Sequence, residues 1–135
     1  MIKVLTFGVF DYFHIGHLRL FKRCANLGDY LIVAVQKDEE IKKTKPNCCV
    51  LYDLSQRMEM VESLKCVDCV IPYSQIDIDI KNIDFDILVV GPDQKHEGFQ
   101  RAFRWCDENK KTVIILERTQ GISSSQIKEK IKKLK

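Results

Sequence analysis

Ile2-Lys3-Val4-Leu5-Thr6-Phe7-Gly8, followed at once by Val9-Phe10-Asp11-Tyr12-Phe13-His14-Ile15-Gly16-His17, is the stretch that decides the fold of this chain. The first seven residues read as a buried strand and the next segment as a tight turn into a helix, which puts His14-Ile15-Gly16-His17 at a helix N-terminus. Backbone N–H groups there have no intrahelical acceptors, and the positive end of the macrodipole favours an anion. Two imidazoles three residues apart lie on one face of the first turn. Gly16 between them removes a side chain, so a nucleotide can approach the main chain closely. On an arbitrary helix such histidines would be satisfied core residues; after a Phe-Asp turn at a strand end they point to a polyphosphate site.

Outward from this unit the alternation repeats. Residues 15–27 are amphipathic, with Leu18, Phe21 and Leu27 on one side, and Gly28 follows as a C-cap. Asp29-Tyr30-Leu31-Ile32-Val33-Ala34-Val35 is continuously apolar after its first residue, as a parallel strand covered on both faces would be. Residues 37–50 are polar and basic, contain Pro46 and show no hydrophobic period, and so read as a mobile loop over the site. A helix is predicted at 53–64 and a short strand over 67–71, ended by Pro72; 73–85 reads as irregular with alternating Ile and Asp. Then come a buried strand over 86–91, a helix over 97–109, a strand over 112–116 and a last helix over 123–134 with Ser123 as its cap. Five short apolar strands separated by helices argue for one α/β domain, 1–135, built as a doubly wound, Rossmann-like, five-stranded parallel sheet. In such sheets ligands bind beyond the carboxyl ends of the strands, where strand order reverses. The segments from Gly8 to His17, Gln36 to Lys45, Gly91 to Lys95 and Glu117 to Ser124 all fall at carboxyl ends.

Composition narrows the class. With 135 residues, 45% hydrophobic and 30% charged, the chain has the balance of an ordinary globular domain. No apolar stretch approaches the roughly 18 to 20 residues of a membrane span, and Met1-Ile2-Lys3 leads straight into a strand rather than a signal peptide, so a cytoplasmic protein is expected. The six cysteines, Cys24, Cys48, Cys49, Cys66, Cys69 and Cys106, are read as free thiols. Cys66-Val67-Asp68-Cys69 has CxxC spacing, but no second CxxC and no spaced histidine pair completes a zinc set. The net charge of +3 resides mainly in the Lys-rich C-terminal helix and the Lys42-Lys43-Thr44-Lys45 run. A small anionic substrate accounts for it, and no nucleic-acid or membrane partner is expected.

A second signal is Arg118-Thr119-Gln120-Gly121-Ile122-Ser123-Ser124-Ser125, again a strand end running through Gly into a hydroxyl-capped helix. Arg118 offers a planar multi-donor cation, and Ser123, Ser124 and the first N–H groups of that helix could hold phosphate oxygens, although ordinary capping explains Ser123 as well. Two anion sites at adjacent strand ends would grip different parts of one triphosphate. Lys42, Lys43 and Lys45 are a solvated basic loop on their own and a charged lid if they lie over such a ligand. Asp11 reads as a helix cap or an organiser of the phosphate site rather than a catalytic acid.

On these residues the chain resembles the HxGH nucleotidyltransferase superfamily, and within it the glycerol-3-phosphate and phosphocholine/phosphoethanolamine cytidylyltransferases, over nearly its whole length. GVFDYFHIGH is similar to that family's G-x-F-D-x-x-H-x-G-H, and Asp38-Glu39-Glu40-Ile41 with Lys43 and Lys45 is similar to its D-E segment followed by lysines. Arg57 with Val67-Asp68 resembles its R…VDE-V helix and strand, and RTQGISSS its R-T-x-G-[IV]-S-T-[ST] signature. The signature block is the narrower match and points to CTP.

The resemblance implies in-line attack of an acceptor phosphate oxygen on the α-phosphorus of CTP, with Mg²⁺ accompanying the triphosphate, pyrophosphate leaving and a homodimer as the assembly. It implies that His14 and His17 hold phosphates and stabilise the transition state, that Lys43 or Lys45 bridges α-phosphate and acceptor, and that Arg118 with Ser123 and Ser124 binds the β- and γ-phosphates. Gly8, Phe10, Asp11, Gly16, Thr119, Gly121 and Ile122 would complete the nucleotide site, with Arg57 at the acceptor phosphate or base pocket and Asp93 accepting from the cytosine amino group. Tyr73-Ser74-Gln75 and Gly91-Pro92-Asp93-Gln94-Lys95-His96 replace the family's aspartate-rich or tryptophan-bearing acceptor segments. Gln75, Gln94, Lys95 and His96 are polar donors there. The resemblance makes glycerol 3-phosphate the default acceptor, while these polar donors point to a more polar one, another polyol phosphate or a phosphorylated amino acid or amide, as the alternative. Two further readings stand beside this one: an adenylyltransferase using ATP on a heptose phosphate, phosphopantetheine or flavin mononucleotide, and a catalytically silent nucleotide-binding module.

Overall fold

Alternate residues of a strand point to opposite faces, so an apolar run with no polar positions must be covered on both. The computed structural model, which describes residues 1–47, 50–117 and 124–134, covers them with helices. Along the chain the elements are β1 (Lys3–Gly8), α1 (Ile15–Ala25), β2 (Tyr30–Gln36), α2 (Asp38–Thr44), α3 (Leu54–Glu62), β3 (Cys69–Tyr73), α4 (Ile76–Asp79) with a 3₁₀ turn (Ile80–Asn82), β4 (Ile87–Val90), α5 (Glu97–Glu108), β5 (Thr112–Ile115) and α6 (Ser124–Lys133). The sheet is wholly parallel with order β3-β2-β1-β4-β5. The chain winds outward from β1 through β2 to β3, then returns to β4 on the other side of β1. The switch point therefore lies between β1 and β4, and the doubly wound expectation holds.

The two faces carry two cores. Val4, Leu31, Val33, Val35 and Val89 pack with Phe21 and Cys24 of α1 and Val61 of α3. Their neighbours in sequence, Leu5, Phe7, Ile32, Ala34, Leu88 and Val90, pack on the opposite face with Ile76, Ile80, Phe85, Phe99, Ala102 and Cys106. Cys24 and Cys106 are core residues, one in each cluster, and burial pushes their thiols up to about 12 and about 11. The four described cysteines are free thiols; Cys48 and Cys49 lie outside the described residues.

Local expectations are corrected at several places. Residues 38–44 are a helix rather than part of a loop: Asp38, Glu39 and Glu40 complement the macrodipole in its first turn, Lys42 and Lys43 in its last, and Ile41 anchors it in the interior at 3% exposure. Helix α1 stops at Ala25 with Asn26 as its cap in right-handed conformation, so Gly28 is not the cap. Gly28 serves close approach instead, since a Cβ there would lie 2.7 Å from the carbonyl oxygen of Ile2. Pro72 lies inside β3, paired with Val35, rather than ending it; β3 is an edge strand, where a missing N–H is tolerated. The Ile-Asp alternation of 76–80 forms helical turns, with Ile76 and Ile80 buried four residues apart and Ile78 at 54% exposure. Among the described residues no helix is long and apolar enough to cross a membrane.

Candidate active site

The segment between β1 and α1 is backbone-strained. Phe10 and Tyr12 hold left-handed φ values of 57° and 50°, a region that costs a non-glycine residue about 1 kcal/mol or more. Packing supports the conformation at Phe10. Its ring meets Phe21 edge-on at 4.9 Å and His17 at 5.6 Å, and it lies over Gly8, where an added Cβ would be 2.6 Å from its Cζ. The lack of a side chain at Gly8 is what admits the ring.

His14 and His17 cap α1 reciprocally. His14, the N-cap, accepts the Gly16 N–H at its Nδ1 at 3.0 Å, while His17 Nδ1 accepts the His14 N–H at 3.2 Å. A nitrogen that accepts carries no proton, so each neutral ring holds its proton on Nε2 as a donor. The rings stack with centroids 3.8 Å apart. Half-buried His17 has its pKa pushed down to about 4, first by desolvation and then by His14, against a smaller opposing pull from Asp11. The two histidines thus satisfy two N–H groups that an anion would otherwise meet, and replace them with Nε2–H donors.

Around this pair the loops at the strand ends are fastened together. Asp11 accepts the backbone N–H groups of Leu51 and Tyr52 at 2.6 and 3.0 Å. Arg57 on α3, fully buried, donates to the carbonyls of Tyr52, Val9 and Gln36 at 3.0, 2.9 and 2.9 Å and pairs through Nη2 with Asp38. Asp38 also accepts the Leu54 N–H at 3.2 Å. Four of the five guanidinium N–H groups therefore hold protein atoms in this structure, and the expected contact of Arg57 with an acceptor phosphate gives way to an internal junction. That junction fixes the start of α2, whose other end carries the expected lysines. Lys43 is two-thirds exposed with Nζ 3.1 Å from Glu40, and Lys45, exposed, is the C-cap.

On the other side of the switch point, Asp93 is exposed in the turn after β4. Gln94, expected as a donor to the acceptor, has its amide bonded to main chain instead. His96 caps α5, its Nδ1 accepting the Gly98 N–H at 3.1 Å. Arg118, Thr119, Gly121, Ile122 and Ser123 lie outside the described residues, as does the side chain of Ser124, which opens α6. Just before them, Arg23 of α1 donates to the Glu117 carbonyl at 2.8 Å.

The Asp38–Arg57 pair and the Gln94 contacts escaped the sequence reading. Three acidic residues ahead of Ile41 were the available sign of a helix start at 38, and Gly-Pro at 91–92 the sign of a turn closing on Gln94.

A doubly wound parallel sheet with an HxGH cap at its switch point defines a nucleotidyltransferase, an enzyme class that the relatives bear out. The cytidylyltransferase-like family matches residues 5–130, and the chain belongs to it. It is 40% identical over 136 residues to a glycerol-3-phosphate cytidylyltransferase of Staphylococcus aureus, covering 97% of this chain and 96% of that one. It is 35% identical to the bifunctional protein HldE of Hydrogenovibrio crunogenus, where 95% of this chain matches 27% of the larger protein. Among solved structures, the lipopolysaccharide core biosynthesis protein of Thermoplasma volcanium superposes with a TM-score of 0.70 at 29% identity, over 88% of this chain and 97% of that one.

Proposed function

We propose that the chain transfers CMP from CTP to a small phosphorylated acceptor, with glycerol 3-phosphate as the first candidate, and so makes a CDP-activated precursor for a surface polymer or lipid. The observation that carries this reading is the stacked His14–His17 pair at the switch point, with both Nδ1 atoms engaged and both protons on Nε2. Neutral, fixed N–H donors suit charge that develops on phosphate oxygens, because no proton has to be gained or lost as the reaction proceeds. An acceptor phosphate oxygen attacks the α-phosphorus in line; the bond to the β-bridging oxygen breaks, and pyrophosphate leaves with that electron pair. The acceptor is already ionised near neutral pH, so the protein's part is positioning and charge stabilisation.

In this reading His14 and His17 donate to the α- and β-phosphates from the α1 N-terminus. Lys43 and Lys45, at the end of a helix fastened to the HxGH loop by Arg57 and Asp38, neutralise the α-phosphate and the acceptor. Arg118, Thr119, Gly121, Ile122, Ser123 and Ser124 bind the β- and γ-phosphates; Gly8, Phe10, Asp11 and Gly16 shape the near wall, and Asp93 accepts from the cytosine amino group. Among the described residues no three His, Cys, Asp or Glu side chains form a cation site. Mg²⁺ accompanying the triphosphate would, when bound, offset phosphate charge. A homodimer and a cytoplasmic location complete the proposal; CTP as substrate and free thiols suit a reducing compartment.

The test is pyrophosphate release with CTP and Mg²⁺, and with ATP and Mg²⁺ in parallel, against phosphorylated polyols, amino alcohols, amino acids and sugars. Turnover with CTP and one phosphorylated acceptor supports the reading, and a preference for ATP overturns it. CTP binding with no release across the panel reassigns the chain as a binding module. Sedimentation as a monomer at micromolar concentration removes the dimer from the proposal.

A further inference from the structure

Paired residues of β1 and β4 end at Thr6 and Val89, where the strands part at the switch point. Two side chains bridge the divergence. Thr6 Oγ1 donates to the Val89 carbonyl at 3.0 Å. Across the next gap lies the primary amide of Gln94, with Nε2–H donating to the Phe7 carbonyl at 2.8 Å and Oε1 accepting the Gly91 N–H at 2.9 Å. An amide that gives its donor to one strand end and its acceptor to the other stands in for a peptide group, so Gln94 adds a rung to the sheet. The same residue closes a turn: its own N–H donates to the Gly91 carbonyl at 3.2 Å. Pro92 takes the second position, where its φ is already set, and Asp93 the third. Both backbone groups of Gly91 are thereby held by Gln94.

We infer that Gln94 is a positioning residue for nucleotide binding, locking the turn that carries Asp93 to the Phe7-Gly8 strand end from which the HxGH loop departs. Turn and loop then present one wall to CTP. The inference rests on the proposed nucleotide site, and its test separates the two. Gln94→Glu keeps the shape, but as a carboxylate it has no proton to donate and turns a lone pair toward the Phe7 carbonyl; protonated, it again offers one donor and one acceptor. Gln94→Met loses both bonds at every pH.

The measurement is calorimetric affinity for CTP with Mg²⁺, parent against each variant, near pH 8 and near pH 5, with thermal unfolding alongside. Gln94→Glu is expected to bind on the order of 10-fold more weakly than the parent near pH 8 and to recover to within about 3-fold near pH 5, while Gln94→Met stays weak at both. Parent-like affinity of Gln94→Glu near pH 8, a deficit that does not change with pH, or an unfolded Gln94→Glu chain overturns the positioning role. A parent that does not bind CTP overturns the functional reading, and this inference with it.

Discussion

The rings of His14 and His17 stack 3.8 Å apart and 22° from parallel, each capping a backbone N–H in the turn that holds the other. Two imidazoles this close cannot both take up protons cheaply, which suits the pair to the role of neutral donors in the proposed site. His17→Ala removes one such donor and the cap on the His14 N–H together. Turnover is expected to fall on the order of 100-fold or more, while loss of the cap costs about 1 kcal/mol of stability. Steady-state kinetics beside urea unfolding checks both; near-normal turnover in a folded His17→Ala chain would remove the histidine from the mechanism.

The depressed pKa of His17 makes stability depend on pH in a definite direction. The unfolded chain takes up a proton at this residue near pH 6.5, whereas the folded chain resists until about pH 4. Across that window the unfolded state binds more protons, so stability is lost as pH falls, by up to roughly 3 kcal/mol for this one group. Urea midpoints from pH 7 to pH 4 should drop more steeply for the parent than for His17→Ala. Parallel pH curves would show that the ring titrates normally.

Much of the fold was legible because burial on two faces leaves a continuous apolar run, and β1, β2 and β4 each carry one. The HxGH helix start was legible because it follows such a run directly. Harder to read were features that depend on pairing across the fold. Nothing in the local pattern of 37–50 says that Asp38 finds Arg57 nineteen positions later, and without that partner three acidic residues and a lysine run look like solvent-exposed loop. Pro72 signalled a strand end, a rule that fails only because β3 has a free edge. The resemblance of its segment to the family's R…VDE-V helix and strand puts Arg57 at the acceptor phosphate or base pocket; its burial under the carbonyls of Tyr52, Val9 and Gln36 is a tertiary fact that no local pattern carries.

Arg57 therefore carries a prediction that separates a junction from a ligand. Arg57→Met takes a guanidinium partner from Asp38, whose side chain is 29% exposed, and from the carbonyls of Val9, Gln36 and Tyr52, and stranding these acceptors costs about 3 kcal/mol. Arg57→Lys should recover little, because an ammonium is a point donor and these acceptors are spread around a planar fork. If Arg57 instead acted mainly on the acceptor phosphate, Arg57→Lys would keep parent stability and raise only the acceptor KM. Urea unfolding of both variants decides between the two outcomes.

Gly8 and Phe10 give a test of the loop's strain that involves no titrating group. A Cβ at residue 8 would lie 2.6 Å from Phe10 Cζ and 2.9 Å from Cε1, so Gly8→Ala must move the ring. The ring has little room to move, being 6% exposed and edge-on to both Phe21 and His17. Overpacking of this kind costs about 1 to 3 kcal/mol, and because Phe10 leans on His17 the displacement should also reach the histidine pair and lower turnover. Phe10→Leu in the same chain shortens the obstructing side chain and should restore part of the stability lost to Gly8→Ala. A coupling of at least about 1 kcal/mol in the double-mutant cycle is the expected result. Strict additivity would mean that the ring yields freely and that the glycine is needed for some other reason.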